Sequence, residues 1–394
     1  MNKFVVADIE TLVSCFTYTD IDINTNEIKQ FIIHKDRNDI YEFCDYLNTI
    51  EGMIGFNSLA FDYPVLHKII ENQAYHKRVS TEESIKNIYY QSQKLISNQK
   101  LKLNNDYINP KDFYFKNLDL FKLWHYNNKA RATSLKALEI SMNYPNVLEM
   151  PINHSKTNIT LLEVEEILKY NLNDVLATFE FYKKSKDKID LRKDINNNYD
   201  LGCLNYSDSK IGEALMLKLY CAETGLNSYE IKKLRTTRLE IDLKDCILPY
   251  IDFKTDKFSR LLLKLQHKTI TSTKGAFKES VIFNGFKYDY GTGGIHGCIK
   301  PGIYTQSSDY KIVDCDVQSL YPSLSITNNF YPEHLGEPFV KVYKDIIDQR
   351  MMAKKAGNMT ISDALKLSAN SVYGKSNDEN SFLYDSRFTM QITI

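Results

Sequence analysis

"VVADIET", residues 5–11, carries Asp8 and Glu10 two positions apart at the end of a β-branched run. Side chains alternate faces along a strand, so these two carboxylates share one face. Like charges held side by side in a poorly solvated setting repel and lose hydration. A divalent cation is the usual compensation. The alternative is a strand ending at an exposed turn with both acids solvated, and the fragment alone leaves the two readings open.

Around this fragment, residues 3–9, 28–33 and 53–56 read as strands, and 38–50 and 161–183 as helices. Their alternation predicts an α/β layer domain over residues 1–185. "KKSKDKIDLRKDINNNYD" (183–200) reads as a linker or a charge-laced surface that opens a connecting region over 186–300. Within that region 208–224 predicts a helix, and 275–285 and "YGTGGIHG" (290–297) read as glycine-rich breaks. A third segment, 301–394, begins with a predicted strand, "YKIVDCDV" (310–317), and a turn at Tyr321-Pro322. Helices over 341–356 and 360–373 follow, and "FTMQITI" at the end reads as a strand.

The 394 residues suffice for two or three domains. Fifty Lys and Arg balance 50 Asp and Glu, a neutral total that neither demands nor excludes a nucleic-acid partner. Seven scattered cysteines with no CxxC pair predict reduced thiols in a cytoplasmic setting. No apolar run approaches the roughly 18 residues of a membrane helix, so the expectation is a soluble protein without membrane contact.

Two further acids sharpen the opening question. "GFNSLAFD" (55–62) ends in Asp62, and "YNLNDV" (170–175) places Tyr170 and Asp174 four apart on one helix face. Four carboxylates and a phenol from a strand, a loop and a helix suit phosphodiester hydrolysis by two metal ions. Taken singly, Asp62 also reads as a helix N-cap before Tyr63-Pro64, and Tyr170 and Asp174 as an ordinary helix pair.

"DIET", "NSLAFD" and "YNLND" together resemble the three motifs of the DEDD-type proofreading 3′–5′ exonucleases, in the tyrosine variant. The resemblance implies a ribonuclease H-like domain in which Asp8, Glu10, Asp62 and Asp174 bind two divalent ions, Mg²⁺ or Mn²⁺, and Tyr170 positions the attacking water. It implies that Thr11, Asn57 and Phe61 hold the 3′ end of single-stranded DNA. "ATSLKAL" (132–138) resembles the family's Ser-Leu strand-binding motif through Ser134 and Leu135, and a helix N-cap at Ser134 accounts for the same residues.

"DCDVQSLYPSL" (314–324) and "KLSANSVYGK" (366–375) form a second constellation. Lys366, Asn370 and Tyr373 fall on one helical stripe, and Arg350 and Lys354 on another. A solvated helix face is the plain reading of those cations. The two strings resemble motifs A and B of the family B DNA polymerases. The resemblance implies an incomplete α+β palm with a helical fingers hairpin. There Asp316 binds the catalytic metals and Tyr321 stacks on the incoming deoxynucleoside triphosphate's sugar. Lys366 and Arg350 meet its phosphates, and Asn370, Tyr373 and Gly374 line the new base pair. "YGTGGIHG" resembles the linker motif that touches the template strand, through Tyr290, Gly293 and Gly294.

The family's Asp-Thr-Asp motif is absent, and the sequence runs 20 residues past Gly374. The expectation is therefore the N-terminal portion of a phage-type replicative DNA polymerase, located in the host cytoplasm and acting on primer-template DNA. Its exonuclease site would be complete and its polymerase site half present, with a C-terminal half supplying the third motif and the thumb. Two alternatives stand beside it: a catalytically silent primer-template assembly module, and a standalone exonuclease with a vestigial palm.

Overall fold

The computed structural model describes residues 3–394 except 104–106, 127, 129 and 131. The chain divides into two units, one of Met1–Lys193 with Gly202–Ser207, the other of Asp194–Leu201 with Asp208–Ile394.

The first unit is built on a six-stranded mixed sheet. Its strands are β1 (Phe4–Leu12), β2 (Cys15–Asp22), β3 (Ile28–His34), β4 (Arg37–Asn38), β5 (Gly52–Gly55) and β6 (Lys116–Asp119), in the order β4-β3-β2-β1-β5-β6. β1 to β4 pair antiparallel, whereas β1 with β5 and β5 with β6 run parallel. β1 pairs with β2 from Val5 to Leu12, but with β5 only from Phe4 to Val6. Past Val6 the β5 side of β1 is therefore open, and Asp8 and Glu10 stand there.

Val5 and Val6 are fully buried, and an aromatic cluster of Phe16, Tyr18, Phe31, Phe43 and Tyr46 fills the core on the Val5 side, with Tyr18 and Phe43 ring centres 4.9 Å apart. Each such ring taken from water contributes roughly 1.5–3 kcal/mol. Buried Asp20 accepts the hydroxyls of Tyr18 and Tyr46 at 2.6 and 2.7 Å. Leu161–Lys184 is the long helix expected at 161–183, and a reciprocal capping box between Thr160 and Glu163 starts it.

Several sequence expectations are corrected. Residues 183–200 hold a helix, Lys186–Tyr199, not a linker, because Ser185, Ile189, Arg192 and Ile195 recur at helical spacing and are buried. The glycine-rich stretch is an antiparallel sheet of Lys278–Phe283, Phe286–Gly291 and Gly294–Cys298, with Gly294 (φ 120°) at the second turn. "FTMQITI" lies in a helix, Ser386–Thr393, capped by Asp385. Tyr321 and Pro322 fall in the first turn of a helix, Leu320–Thr327, where proline is tolerated.

The predicted strand at 310–317 does not form; the segment is irregular and exposed throughout. A β-branched run becomes a strand only with a partner, and among the described residues none pairs with it. The palm strand expected to carry Asp316 is thus absent from this arrangement.

The second unit packs Asp208–Thr224 against Glu337–Lys355 and Met359–Ser376, the helical pair expected at 341–373. Tyr343 donates its hydroxyl to the Ala369 carbonyl at 2.7 Å, and a Cβ on Gly212 would lie 2.4 Å from the Leu367 carbonyl oxygen. Only glycine lets those two backbones approach so closely. Buried Asp385 accepts the Arg387 and Glu333 amides at 2.9 Å and the Arg238 guanidinium, which also reaches Glu333. Asp385→Ala strips the cap and leaves Arg238 short of a counter-charge. The expected loss is about 3–5 kcal/mol, read as a lower urea midpoint for the second unit.

Candidate functional site

The site grows from the open side of β1. Asp8 and Glu10 are half-buried there, between fully packed neighbours. β5 ends at Gly55, whose Cβ, if present, would lie 2.5 Å from that of Ser58, so the chain turns tightly out of the sheet. Asn57 takes a left-handed conformation (φ 61°). The Asp119 carboxylate pins this loop, accepting the Asn57 amide at 2.9 Å and the Leu59 amide at 3.1 Å.

The loop delivers Asp62 as the first residue of the helix Asp62–Glu71. Asp62 does not cap that helix; its Oδ1 faces the Ile9 amide at 3.3 Å. That amide lies between Asp8 and Glu10, which brings Asp62 to the open side of β1. The Leu161–Lys184 helix supplies Tyr170, Asn171 and Asp174. The Tyr170 hydroxyl lies near Asp174, whose charge raises it, and Asn171 donates Nδ2 to Asp8 Oδ2 at 2.6 Å.

Three side chains here had no place in the sequence reading. Lys136, on the short helix Leu135–Ser141, sets its Nζ 2.5 Å from Asp174 Oδ1 and 4.6 Å from the Tyr170 ring centre. Glu139, from the same helix, is fully buried, 3.4 Å from Lys136. Asn171 stood inside the quoted "YNLND", but nothing distinguished it from a spacer.

The electrostatics follow from five carboxylates around one ammonium. Burial, with repulsion from Asp62, Glu10 and Asp174, pushes Asp8 well above the usual carboxylate range. Burial and the charges of Asp174 and Asp62 push Glu10 up to about 8, and burial moves Asp62 to about 7. Asp174 and Glu139 are raised for the same first reason, burial. The Tyr170 hydroxyl is also raised, by burial and then by the Asp174 and Glu10 charges, so it remains a neutral donor.

The donor set fits hard divalent cations: excess carboxylate oxygen with too little counter-charge, plus the buried Asn171 Oδ1, which has no partner. The geometry is less closed than expected. Among the described residues, no group of three or more His, Cys, Asp or Glu side chains is arranged to hold a metal ion. The reason is visible in the partners. Asp8 accepts from Asn171, Asp62 from the Ile9 amide and Asp174 from Lys136, so three of the acids are each engaged by a donor of their own.

Other predicted residues are placed as follows. Strand alternation puts Thr11 on the face opposite Asp8 and Glu10, and Thr11 is buried. Phe61 packs against the core of the first unit, beside the Asp62 helix. Ser134 is the N-cap of the Leu135–Ser141 helix, its Oγ accepting the Ala137 amide. In the second unit, Tyr290 is buried in an apolar cluster with Gly293 and Gly294 at the adjoining turn, not presented on a surface.

Lys366 and Asn370 are exposed on the stripe expected of them, with Tyr373 half-buried and Gly374 exposed at the helix's last turn. Tyr321 stacks on Tyr373 with ring centres 4.2 Å apart, and Arg350 donates to Ser319 Oγ at 2.9 Å. The structure thus brings the two motif strings together at Tyr321 and Tyr373, while Asp316 lies apart in the exposed segment. Among the described residues, no helix is long and apolar enough to cross a membrane.

No protein-family model and no curated protein matches the chain. Among solved structures, the family B DNA polymerase from the hyperthermophilic archaeon Pyrobaculum calidifontis superposes on it with a TM-score of 0.53 at 13% identity, covering 100% of this chain and 49% of that one. At that identity the likeness is one of fold: along its whole length this chain is folded like about half of a family B DNA polymerase.

Proposed function

We propose that the first unit is a DEDD-type 3′–5′ exonuclease acting on single-stranded DNA, and that the chain is the N-terminal part of a family B, phage-type DNA polymerase. The observation that carries the reading is the convergence of Asp8, Glu10, Asp62 and Asp174 with the Tyr170 hydroxyl on the open side of β1. Asp8, Glu10, Asp62 and Asp174 would hold the two divalent ions, which when bound supply an activated water and a charge clamp on the leaving oxygen. Tyr170 orients the attacking water as a neutral donor, and Asn171 fixes Asp8. Asn57, Phe61, Ser134 and Leu135 hold the 3′ end, and Thr11, buried on the other face of β1, is left out of that contact.

In the second unit Asp316, Tyr321, Arg350, Lys366, Asn370, Tyr373 and Gly374 form the nucleotide side of the polymerase site, with the turn at Gly293 and Gly294 toward the template and Tyr290 packed in the apolar cluster beside it. The Tyr321–Tyr373 stack supports that pairing of strings. Because Asp316 lies in an irregular, exposed segment, this chain alone is not expected to extend a primer.

The test is a 5′-labelled single-stranded oligonucleotide with Mg²⁺, Mn²⁺ or chelator. The expected result is a ladder shortened stepwise from the 3′ end with either ion and no cleavage in chelator. Salt-sensitive binding without cleavage would favour the assembly-module reading instead.

A further inference from the structure

Lys136 has two carboxylates within reach and they are unequal. Its Nζ lies 2.5 Å from Asp174 Oδ1 and 3.4 Å from Glu139 Oε1. Asp174 also has the Tyr170 hydroxyl and the Asn173 amide near it, and both favour its charge. Glu139 is 0% exposed, and its second oxygen, Oε2, is buried with no partner. A buried oxygen left unsatisfied is costly. Glu139 therefore has spare capacity for a cation, one helical turn from a lysine whose flexible four-carbon stem lets the ammonium move between neighbouring positions.

We propose that Lys136 is an internal counter-cation that holds Asp174 while no divalent ion is bound, and that it moves onto Glu139 when one arrives. The inference rests on the reading of the carboxylate cluster as a divalent-ion site. It explains why that cluster is open: the ammonium pulls Asp174 away from the other acids, and a dication entering beside Asp174 repels it. Lys136 is then a positioning residue, acting through Asp174, and Glu139 is the seat that accepts it. The pair sets how tightly the site takes metal and keeps Asp174 from remaining an uncompensated buried charge between turnovers.

Mn²⁺ binding to the full chain, followed by calorimetry, tests this. Lys136→Met should tighten Mn²⁺ binding by on the order of tenfold, because a competing cation is gone, and should lower the thermal midpoint of the metal-free protein. Glu139→Gln, which keeps the shape, should weaken Mn²⁺ binding by a similar factor, because Lys136 loses its seat. In the double variant most of the Glu139→Gln effect should vanish, since there is no ammonium left to seat.

Lys136→Met or Lys136→Gln binding Mn²⁺ no more tightly than the wild type would overturn the inference. So would a Glu139→Gln effect that persists in full without Lys136. Failure of the underlying reading looks different: the wild-type chain would then take up no Mn²⁺, or as much as an Asp8→Ala, Glu10→Ala variant, and the inference would fall with it.

Discussion

Asp8→Ala combined with Glu10→Ala is expected to move activity and stability in opposite directions. Cleavage from the 3′ end should fall by about 10³-fold or more, since a metal clamp supplies several kcal/mol of transition-state stabilisation and each 1.36 kcal/mol is tenfold in rate. The metal-free first unit should become more stable, because the variant removes two of the carboxylates whose burial and mutual repulsion raise one another. Side chains that only supported the fold would lose stability together with any activity. A parallel assay of strand shortening and of urea unfolding in chelator separates the cases. A double variant that is both less stable and equally active would remove these residues from the site.

The second large effect is on pH. Glu10 and Asp62 sit at about 8 and 7 in the folded chain, against 4.5 and 3.8 ordinarily, and Asp20 at about 6, each raised first by burial. Between about pH 4 and pH 8 the folded state therefore holds more protons than the unfolded state. The slope of stability against pH is negative in that window. With respect to these groups the metal-free first unit should be most stable at and below about pH 4. It should lose several kcal/mol by pH 8, most of it from buried Asp62 and Asp20, since solvent screening reduces the share of half-buried Glu10. Glu10→Gln should flatten the upper part of the curve, and Asp20→Asn the lower part. Urea midpoints in chelator from pH 4.5 to 8.5 check it, and a midpoint that rises across the window would contradict the burial of these acids.

Much of the site was legible because its spacing follows backbone periodicity. Asp8 and Glu10 share a face at a period of two, and Tyr170 and Asp174 at a period of four. Asp62 was found through the apolar stretch before it, although its carboxylate went to the Ile9 amide and not to its own helix. Lys136 was not legible as a site residue, since it meets Asp174 across 38 residues of chain and no local pattern encodes that contact. Glu139 and Asp119 were missed for the same reason.

The fold failures share a cause. Residues 310–317 have the composition of a strand, but a strand is a pairing and not a local property. Lys186–Tyr199 looked too polar for a packed helix, yet a narrow stripe through Ile189, Arg192 and Ile195 is enough to hold it. The closing helix was hidden by its β-branched and aromatic residues, and its signal was Asp385, whose carboxylate accepts the Arg387 and Phe388 amides.

The central claim is that Asp8, Glu10, Asp62 and Asp174 are the ligands of divalent ions. The most direct measurement is anomalous diffraction from crystals of this chain soaked in Mn²⁺. The expected result is a peak within about 2.0–2.6 Å of oxygens from at least three of these four residues, with Asp174 drawn off Lys136. A map with no such peak at saturating Mn²⁺, and with Asp8, Asp62 and Asp174 still turned to Asn171, the Ile9 amide and Lys136, would contradict it.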